Sequence, residues 1–181
     1  MKAAAAVVMA GGRGTRLGGA VKPLLRVCGS TMLERVVAAA RSVSRRVVVA
    51  LSPYTLSATA GLCPKLGSDS CIALPGLGYP GDMRLAAEIV RARPLLFLPA
   101  DTPFLDSERL ERFIDEALAT GAGLVTLEAE GRGPLGVSLL AGGFEPWASV
   151  RQPWGPDLLN VNTPRDLVEA EKLCRGARSS Q

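Results

Sequence analysis

A glycine-dense segment that carries fixed cations follows the first apolar run of the chain. Residues 10–25 are AGGRGTRLGGAVKPLL, directly after the apolar residues Ala3–Met9. Glycine lets the backbone turn sharply and brings its N–H groups close to a ligand, where a Cβ would collide. Arg13, Arg16 and Lys22 on the same loop favour a polyphosphate over a neutral ligand. The segment therefore predicts a phosphate-binding loop at the end of a buried strand.

Two common phosphate-binding loops do not fit this segment. Lys22 is followed by Pro23, so the sequence G-x-x-x-x-G-K-S/T is absent. Gly12, Gly14 and Gly18 give G-x-G-x-x-x-G, which is one residue longer than the dinucleotide-binding fingerprint. A plain strand-to-helix turn with arginines in solvent is the alternative, and the added cations favour the ligand-binding interpretation.

Two polar residues follow predicted strands or precede helices where a parallel sheet binds ligands. Asp101 comes after the apolar run Leu95–Leu98. A carboxylate at the carboxyl end of a parallel strand is well placed for a hard cation such as Mg²⁺, although it could equally cap a turn. Asn162 stands before a helix that begins Thr163-Pro164, so its side-chain oxygen could face the same cation or serve the helix entry alone.

The loop at residues 75–82 is a third candidate segment. Its sequence is PGLGYPGD, and a predicted helix follows it. Such a Gly- and Pro-rich loop could close over a base and a ribose, or it could form only a long turn.

The composition excludes several kinds of catalysis. The chain contains no histidine, which rules out Ser-His-Asp and Cys-His nucleophile systems. Its four cysteines form no CxxC pair, so a common zinc site is not expected. We expect buried thiols at these positions, while the spacing leaves a Cys63–Cys71 bridge open. Any chemistry must therefore use carboxylates, lysine, arginine, a metal ion or the substrate's own groups.

Charge and hydropathy restrict which ligands we expect the protein to bind and where in the cell we expect it. The net charge is +4 with scattered basic residues, and aromatics make up only 4%, so an extended nucleic-acid surface is not supported. No apolar run approaches the roughly 20 residues that span a bilayer. The apolar start lacks a signal-peptide cleavage pattern. We expect a cytoplasmic protein that binds small acidic molecules, and its oligomeric state stays open.

Short Val- and Leu-rich runs alternate with helix-like stretches along the chain. This alternation predicts βαβ units and a mainly parallel sheet, as in a Rossmann-like three-layer α/β domain. We expect one domain over residues 1–175 and a flexible tail at 176–181. The predicted strands are Ala3–Met9, Arg46–Leu51, Cys71–Leu74, Leu95–Leu98, Gly123–Leu127, Gly136–Leu140 and Leu158–Asn160. The predicted helices are Met32–Val43, Asp82–Ala92, Ser107–Thr120 and Pro164–Cys174, with loops or short helices at 53–68 and 141–157.

Taken together, these motifs resemble a known superfamily. The glycine loop, Lys22-Pro23, Asp101 and the segment NVNTP at 160–164 are similar to the pattern of the MobA-like NTP transferases. That superfamily includes molybdenum-cofactor guanylyltransferases and sugar-phosphate nucleotidylyltransferases. Finer features resemble the archaeal GTP:adenosylcobinamide-phosphate guanylyltransferases, namely KPLLRVCG at 22–29, SPYT at 52–55, Gly78-Tyr79 and Asp82. The resemblance spans nearly the whole chain and implies a fold of the nucleotide-diphospho-sugar transferase type.

The resemblance implies transfer of GMP from GTP to adenosylcobinamide phosphate, with release of pyrophosphate. Because this acceptor is already a phosphate anion, no general base is needed, and positioning and charge neutralisation carry the catalysis. The implied catalytic residues are Arg16, Lys22 and Asp101. The implied nucleotide-binding residues are Ala10, Gly11, Gly12, Arg13, Gly14, Thr15, Ser52, Gly78 and Asp82. The implied Mg²⁺ ligands are Asp101 and Asn162, and the implied acceptor-binding residues are Gly136 and Asn162.

The sequence does not identify the residue that would recognise guanine. Guanylyltransferases of this superfamily often have an aspartate at the end of the third strand, whereas Leu74 is followed here by Pro75 and Gly76. Asp82, Asp69 or backbone carbonyls could replace that carboxylate. Molybdenum-cofactor guanylylation and sugar-phosphate activation are alternative reactions. A non-catalytic GTP-binding module that kept the glycine loop is the alternative from a different class.

Overall fold

A seven-stranded sheet organises the part of the chain that this computed structural model describes, residues 2–12 and 14–178. The strands are β1 (Ala5–Met9), β2 (Arg26–Val27), β3 (Ser30–Thr31), β4 (Val47–Leu51), β5 (Ser70–Ala73), β6 (Leu95–Pro99), β7 (Leu124–Ala129), β8 (Gly133–Leu140) and β9 (Trp147–Gln152). The order in the large sheet is β5-β4-β1-β6-β8-β7-β9, and β2 pairs with β3 in a separate hairpin. Within the described ranges, β8 is the single strand of the large sheet that runs antiparallel to its neighbours.

The strand order creates a crevice between β1 and β6. From β1 the chain moves to β4 and β5 on one side, and it then returns to β6 on the other side of β1. Parallel sheets bind ligands outside the carboxyl ends of the strands at such a reversal. The glycine loop follows β1 and Asp101 follows β6, so the fold brings both to this crevice.

Five α-helices connect and cover the strands within the described residues. They are α1 (Met32–Val43), α2 (Leu56–Thr59), α3 (Tyr79–Val90), α4 (Ser107–Ala119) and α5 (Pro164–Arg178). Side-chain caps fix two of the starts: Thr31 and Glu34 form a capping box on α1, and Asp106 accepts the Arg109 N–H on α4. None of the helices in this part of the chain is long and apolar enough to cross a membrane.

The large sheet is covered by apolar side chains on both faces. Helices α1 and α4 pack on one face, where Phe113 is fully buried. Helix α3 covers the other face, against which Phe97 of β6 packs. Strands β4 and β6 are buried along their whole length. Because both faces need apolar residues, these strands are continuous Val- and Leu-rich runs without alternation.

A smaller apolar cluster joins the β2–β3 hairpin to α5. It is formed by Val27, Met32, Leu159, Val161, Ala170 and Cys174. The hairpin turns at Cys28-Gly29, whose φ angles of 54° and 87° are the two positive values that a type I′ turn requires. A disulfide joins Cys28 to Cys174, 146 residues further along the chain. The segment just after Lys22 is therefore tied covalently to the helix just after Asn162.

Most of the predicted elements are confirmed, with shifted ends. The α/β class and the mainly parallel sheet are correct, and α1 has the predicted bounds. Helix α3 begins at Tyr79, earlier than expected, because Gly78 with φ 87° ends the preceding loop. Helix α5 continues to Arg178, so the predicted tail at 176–181 is wrong for its first residues.

Three expectations are wrong. Residues 158–160 do not form a strand, because the buried Leu158 ends a 3-10 turn at Pro156–Leu158 and the buried Leu159 donates its N–H to the Pro156 carbonyl. The segment 141–157 holds the edge strand β9, whose residues are mostly half-exposed and lack an apolar run. The cysteines are not thiols: Cys63 pairs with Cys71 as well as Cys28 with Cys174, which leaves no free cysteine in the described chain.

The first prediction concerns the face of the sheet that α1 and α4 cover. Replacing the fully buried Phe113 by Ala leaves a cavity in that core, and we expect it to lower the free energy of unfolding by about 3–5 kcal/mol. Ile89→Ala on α3, a side chain 55% exposed, should change it by less than about 0.5 kcal/mol. Urea denaturation of both variants measures the difference. Equal losses in the two would contradict the assigned core.

Candidate functional site

A largely buried ammonium group lies at the crevice between β1 and β6. Lys22 Nζ donates one hydrogen bond to Asp101 Oδ2 and another to Asn162 Oδ1 at 2.6 Å. The Lys22 side chain is 12% exposed and that of Asp101 20% exposed. The structure therefore brings together one predicted catalytic cation and both predicted metal ligands, from three separate parts of the chain.

Backbone contacts fix the two oxygen-bearing residues beside each other. The Asp101 carbonyl accepts the Val161 N–H at 2.8 Å, which sets the segment before α5 against the turn after β6. Asn162 then donates its side-chain N–H to Asn160 Oδ1 at 2.5 Å, so its own Oδ1 is left for Lys22. This orientation of the amide follows from its hydrogen bonds.

Asp166 anchors the same segment from the first turn of α5. Its Oδ2 accepts the backbone N–H groups of Asn162 at 2.9 Å and of Thr163 at 2.7 Å. Burial raises the pKa of Asp166, but these N–H donors, the Thr163 hydroxyl and the Lys22 charge outweigh it and hold that pKa below its usual value. Asp166 is therefore ionised at neutral pH, and it positions Asn162 without entering the site.

The glycine loop turns tightly after β1. Gly14 has φ 63°, and a Cβ added there would lie 2.1 Å from the Ala20 carbonyl oxygen, so only glycine fits. The Gly14 carbonyl accepts the N–H groups of Leu17 at 2.9 Å and Gly19 at 3.2 Å. This turn reverses the direction of the chain, so that Lys22 lies at the crevice.

The first two glycines of the loop carry the backbone donors of the site. The N–H groups of Gly11 and Gly12 have no hydrogen-bond partner among the described residues, and both glycines line a cavity. Ser52 supports them from β4: its hydroxyl donates to the Gly11 carbonyl at 2.8 Å and accepts the Tyr54 N–H. A Cβ at Gly11 would lie 3.0 Å from that of Ser52, a tight contact that would require Ser52 to shift by a few tenths of an ångström.

The cavity beside this loop has a volume of about 580 Å³, within the usual range for small-molecule sites. Lys22 and Asp101 lie at its polar end. Its apolar walls come from the carboxyl ends of β1, β4 and β6 and from the loop before α3, namely Met9, Ala50, Leu51, Leu74, Leu77, Pro99 and Ala100. One end is thus suited to phosphate groups and the rest to a flat, partly apolar group.

Asp82 brings a carboxylate to the end of β5 from within α3. Its side chain is buried at 6% exposure and lines the cavity. Oδ1 accepts the N–H groups of Gly76 at 3.2 Å and Leu77 at 3.1 Å, which fixes the loop at 75–78. Oδ2 accepts no hydrogen bond from the described residues. Asp69 lies away from the cavity, because it accepts the Val47 N–H at the amino ends of β4 and β5.

Tyr79 connects the start of α3 to β8. Its hydroxyl donates to the Gly136 carbonyl at 2.5 Å. Gly136 has φ 80°, and a Cβ there would meet Pro99 at 3.5 Å and the Tyr79 ring at 3.8 Å. Burial raises the pKa of Tyr79 above its usual range, and the Asp101 charge adds to the shift, so the hydroxyl remains a donor. Sequence analysis gave Tyr79 no role, although an aromatic residue between Gly78 and a helix was a usable signal.

The remaining predicted residues do not all line the cavity. Gly78 lines it at the start of α3, whereas Ala10 is buried in the strand end and donates its N–H to Ala50. Gly14 and Thr15 lie further along the loop, and neither is among the lining residues. Arg13 lies outside the described residues. The backbone of Arg16 is in a 3-10 turn, and its side chain lies outside the described part.

The oxygen atoms of Asp101 and Asn162 at the crevice are suited to coordinate one hard cation that a bound ligand also coordinates. The Asp101 carboxylate faces the crevice through Oδ2, its Oδ1 is buried without a hydrogen-bond partner in the described structure, and Asn162 adds an amide oxygen. No cluster of three or more His, Cys, Asp or Glu that could hold a metal occurs in residues 2–12 and 14–178. Mg²⁺ is commonly bound by one or two carboxylates together with substrate phosphates, so these residues fit that mode.

A parallel sheet with a glycine loop after its first strand and a Lys–Asp pair at the switch point defines a nucleotidyltransferase. The chain belongs to the MobA-like NTP transferase domain family, whose model matches residues 6–169. The family match covers the sheet through β9 and the first part of α5.

Two relatives are guanylyltransferases. The chain is 30% identical over 202 residues to the molybdenum cofactor guanylyltransferase of Rhodopseudomonas palustris strain BisB5, covering 93% of this chain and 92% of that protein. It is 43% identical over 51 residues to the adenosylcobinamide-phosphate guanylyltransferase of Methanocaldococcus jannaschii, covering 28% of this chain and 26% of that protein.

A solved structure has the same fold. The crystal structure of molybdopterin-guanine dinucleotide biosynthesis protein A from Archaeoglobus fulgidus superposes with a TM-score of 0.70 at 19% identity, covering 95% of this chain and 99% of that chain. This likeness confirms the predicted fold of the nucleotide-diphospho-sugar transferase type.

The second prediction concerns the Tyr79–Gly136 hydrogen bond. Tyr79→Phe keeps the ring and removes the donor to the Gly136 carbonyl. We expect the free energy of unfolding to fall by about 0.5–1.5 kcal/mol, the usual contribution of one hydrogen bond. Chemical denaturation measures it. Unchanged stability would show that the Gly136 carbonyl does not depend on this hydroxyl.

Proposed function

We propose that the protein transfers GMP from GTP to the phosphate of a small acceptor and releases pyrophosphate. Adenosylcobinamide phosphate is the leading acceptor. The observation that carries the reaction is that Lys22 and Asp101 line the same cavity as Gly11 and Gly12, whose N–H groups have no partner among the described residues. A module that only bound GTP would need no cation aimed at the bond that is broken.

The residues present suit a reaction without a general base. The acceptor phosphate is already an anion, so the protein must position the two substrates and neutralise charge. The Gly11 and Gly12 N–H groups would bind phosphate oxygens, and Lys22 and Arg16 would neutralise charge at the α-phosphate and on the departing pyrophosphate. Asp101 and Asn162 would hold Mg²⁺, which when bound supplies further positive charge to the phosphate oxygens.

Two acceptors are supported by different observations. The local identity of 43% to an adenosylcobinamide-phosphate guanylyltransferase and the motifs around Lys22, Gly78 and Asn162 favour the cobinamide. The 30% identity to a molybdenum cofactor guanylyltransferase extends over 93% of the chain and favours molybdopterin. Gly136 and Asn162 would contact the acceptor in either case, because Gly136 lies beside Pro99 and Tyr79, which line the cavity, and Asn162 accepts a hydrogen bond from Lys22.

The third prediction tests the reaction and the acceptor together. Purified protein with GTP and Mg²⁺ is incubated with adenosylcobinamide phosphate in one series and molybdopterin in another, and pyrophosphate release is measured. We expect release that requires GTP and the cobinamide, while ATP and CTP give little.

The other outcomes of that assay separate the alternatives. Release with molybdopterin alone would replace the cobinamide as acceptor and keep guanylyl transfer. Release with ATP or CTP as readily as with GTP would remove the guanine preference. GTP binding without release in either series would favour the binding module.

We further propose that Asp82 selects guanine. Asp82 lines the cavity, its Oδ1 accepts the Gly76 and Leu77 N–H groups, and its Oδ2 has no partner in the described chain. Guanine carries N1–H and the N2 amino group on neighbouring atoms of one edge, so a single carboxylate oxygen can accept both. Adenine and cytosine present a ring nitrogen acceptor at the equivalent place, which a carboxylate repels.

The fourth prediction is an exchange of base preference in Asp82→Asn. The asparagine oxygen keeps the two loop N–H bonds, so its amide N–H groups face the cavity and favour a carbonyl at C2 of the base, as in xanthine. We expect kcat/KM for XTP relative to GTP to rise by about tenfold or more, since unpaired polar groups in a site discriminate strongly.

Asp69→Asn is the matched control for that variant. It removes a carboxylate that also accepts a backbone N–H, at the amino ends of β4 and β5, and it should leave the XTP to GTP ratio unchanged. If Asp82→Asn keeps the wild-type ratio, the guanine assignment to Asp82 is incorrect, and backbone carbonyls become the alternative.

A cytoplasmic location remains a prediction. Most reducing cytoplasms prevent thiols from forming disulfides, whereas the intracellular proteins of hyperthermophiles are rich in disulfides. If the protein is cytoplasmic, its two disulfides therefore favour a hyperthermophile's cytoplasm. The proposed substrates are intracellular metabolites, which agrees with that location.

A further inference from the structure

Lys22 occupies the place that a cation would take between Asp101 and Asn162. Its ammonium donates to Asp101 Oδ2 and to Asn162 Oδ1, which are the two oxygens that face it. The other oxygen of Asp101, Oδ1, has less than 1 Å² of accessible surface. The other polar atom of the Asn162 side chain is an N–H group, which donates to Asn160. Each accessible oxygen of Asp101 and Asn162 that could bind a metal ion therefore already accepts a hydrogen bond from the positively charged Lys22 ammonium.

This arrangement makes an ammonium and a divalent cation competitors for the same oxygens. A cation that approaches Asp101 meets Oδ2 with the Lys22 proton on it, and like charges at contact distance repel strongly in a partly buried site. Lys22 must leave before the cation can enter, and Asp101 is neutralised both before and after the exchange. A free Asp101 carboxylate would exist only between the two states.

The displaced ammonium needs a new anionic partner within reach. Lys22 lines the same cavity as Gly11 and Gly12, whose N–H groups are unpaired in the described chain. A phosphate bound by those N–H groups would accept the Lys22 ammonium, since lysine is a flexible cation with three donors. Phosphate arrival and cation entry are then linked, because each makes the other favourable.

We propose that Lys22 closes the cation site of the empty protein, so that the site takes a metal–nucleotide complex and not the free metal ion. This inference rests on the proposed function for the identity of the ligand, because it assigns the phosphate to a nucleotide. It concerns how the site loads, which the transfer reaction itself does not specify. Lys22 thereby has a second role in addition to neutralising phosphate charge.

Binding of Mn²⁺ alone to the protein without nucleotide tests the proposal. Free Mn²⁺ is measured by electron paramagnetic resonance during titration of wild-type protein and of the variants Lys22→Met and Lys22→Gln. Both variants remove the ammonium and retain much of the side-chain length. We expect each to bind Mn²⁺ at least about tenfold more tightly than wild type, because Asp101 then lacks its positive partner.

Two control variants locate the effect. Lys65→Met removes an exposed lysine from the 3-10 turn at Ala60–Lys65 and should leave Mn²⁺ affinity at the wild-type value. The double variant Lys22→Met/Asp101→Asn should lose the gain, because the carboxylate that binds the cation is then absent. A gain that survives in the double variant would move the metal away from Asp101 and overturn the proposal.

A measurement on the wild-type protein covers the case in which the Lys22 variants do not fold. Binding of α,β-methylene-GTP, which cannot transfer GMP, is followed by calorimetry with and without Mn²⁺. We expect wild-type protein to bind the Mn²⁺ complex at least about tenfold more tightly than it binds free Mn²⁺. Wild-type protein that binds free Mn²⁺ as tightly as the complex contradicts closure by Lys22.

The result can be separated from the proposed function, because turnover is not part of it. Wild-type GTP turnover together with unchanged Mn²⁺ affinity in the Lys22 variants would remove the closure and keep guanylyl transfer. Tighter Mn²⁺ binding in the variants without pyrophosphate release from either acceptor would keep the closure and remove the proposed reaction.

Discussion

The hydrogen bonds of the Lys22 ammonium to Asp101 and Asn162 set the geometry of the crevice. They join the loop after β1, the turn after β6 and the entry to α5, which are separated by 79 and 140 residues. Desolvating a carboxylate is costly unless a cation accompanies it, so removal of either partner leaves an unpaired charge. The rest of the crevice is arranged so that these three groups meet.

Each segment that reaches the crevice is held by contacts outside it. Ser52 supports the glycine loop, the Val161 N–H holds the Asp101 turn, and Asp166 holds the backbone of Asn162. The small apolar cluster and the Cys28–Cys174 bridge tie the hairpin after Lys22 to α5. Supporting hydrogen bonds of this kind hold the backbone that carries the polar groups of a site. This support explains why polar residues without a direct chemical role surround the site.

The start of α3 contacts both the loop at 75–78 and strand β8. Asp82 fixes the loop at 75–78, while Tyr79, three residues before it, bonds to Gly136 on β8. The carboxylate that is missing directly after β5 is thus supplied by helix α3, further along the chain. A sequence comparison limited to the strand end would conclude that no acid is present there.

The sequence by itself determined the elements whose signals are local. The apolar runs of β1, β4 and β6, the capping box of α1, the Asp106 cap of α4 and the glycine loop follow from neighbouring residues. Together with Lys22, Asp101 and Asn162 they were enough for the fold, the family and the polar end of the site. Strand β9 was missed because an edge strand with half-exposed residues has no apolar run, and the segment at 158–160 was misassigned because a buried turn can be as apolar as a strand.

Only the tertiary structure decided which groups meet across the crevice. It paired Cys28 with Cys174 and Lys22 with Asp101, brought Asp82 to the end of β5, and excluded Asp69 from the cavity. These outcomes depend on strand order and on the direction in which each loop returns. Both are set by the packing of the whole sheet. The residues that meet are distant in the sequence, and no local sequence pattern indicates that they are in contact.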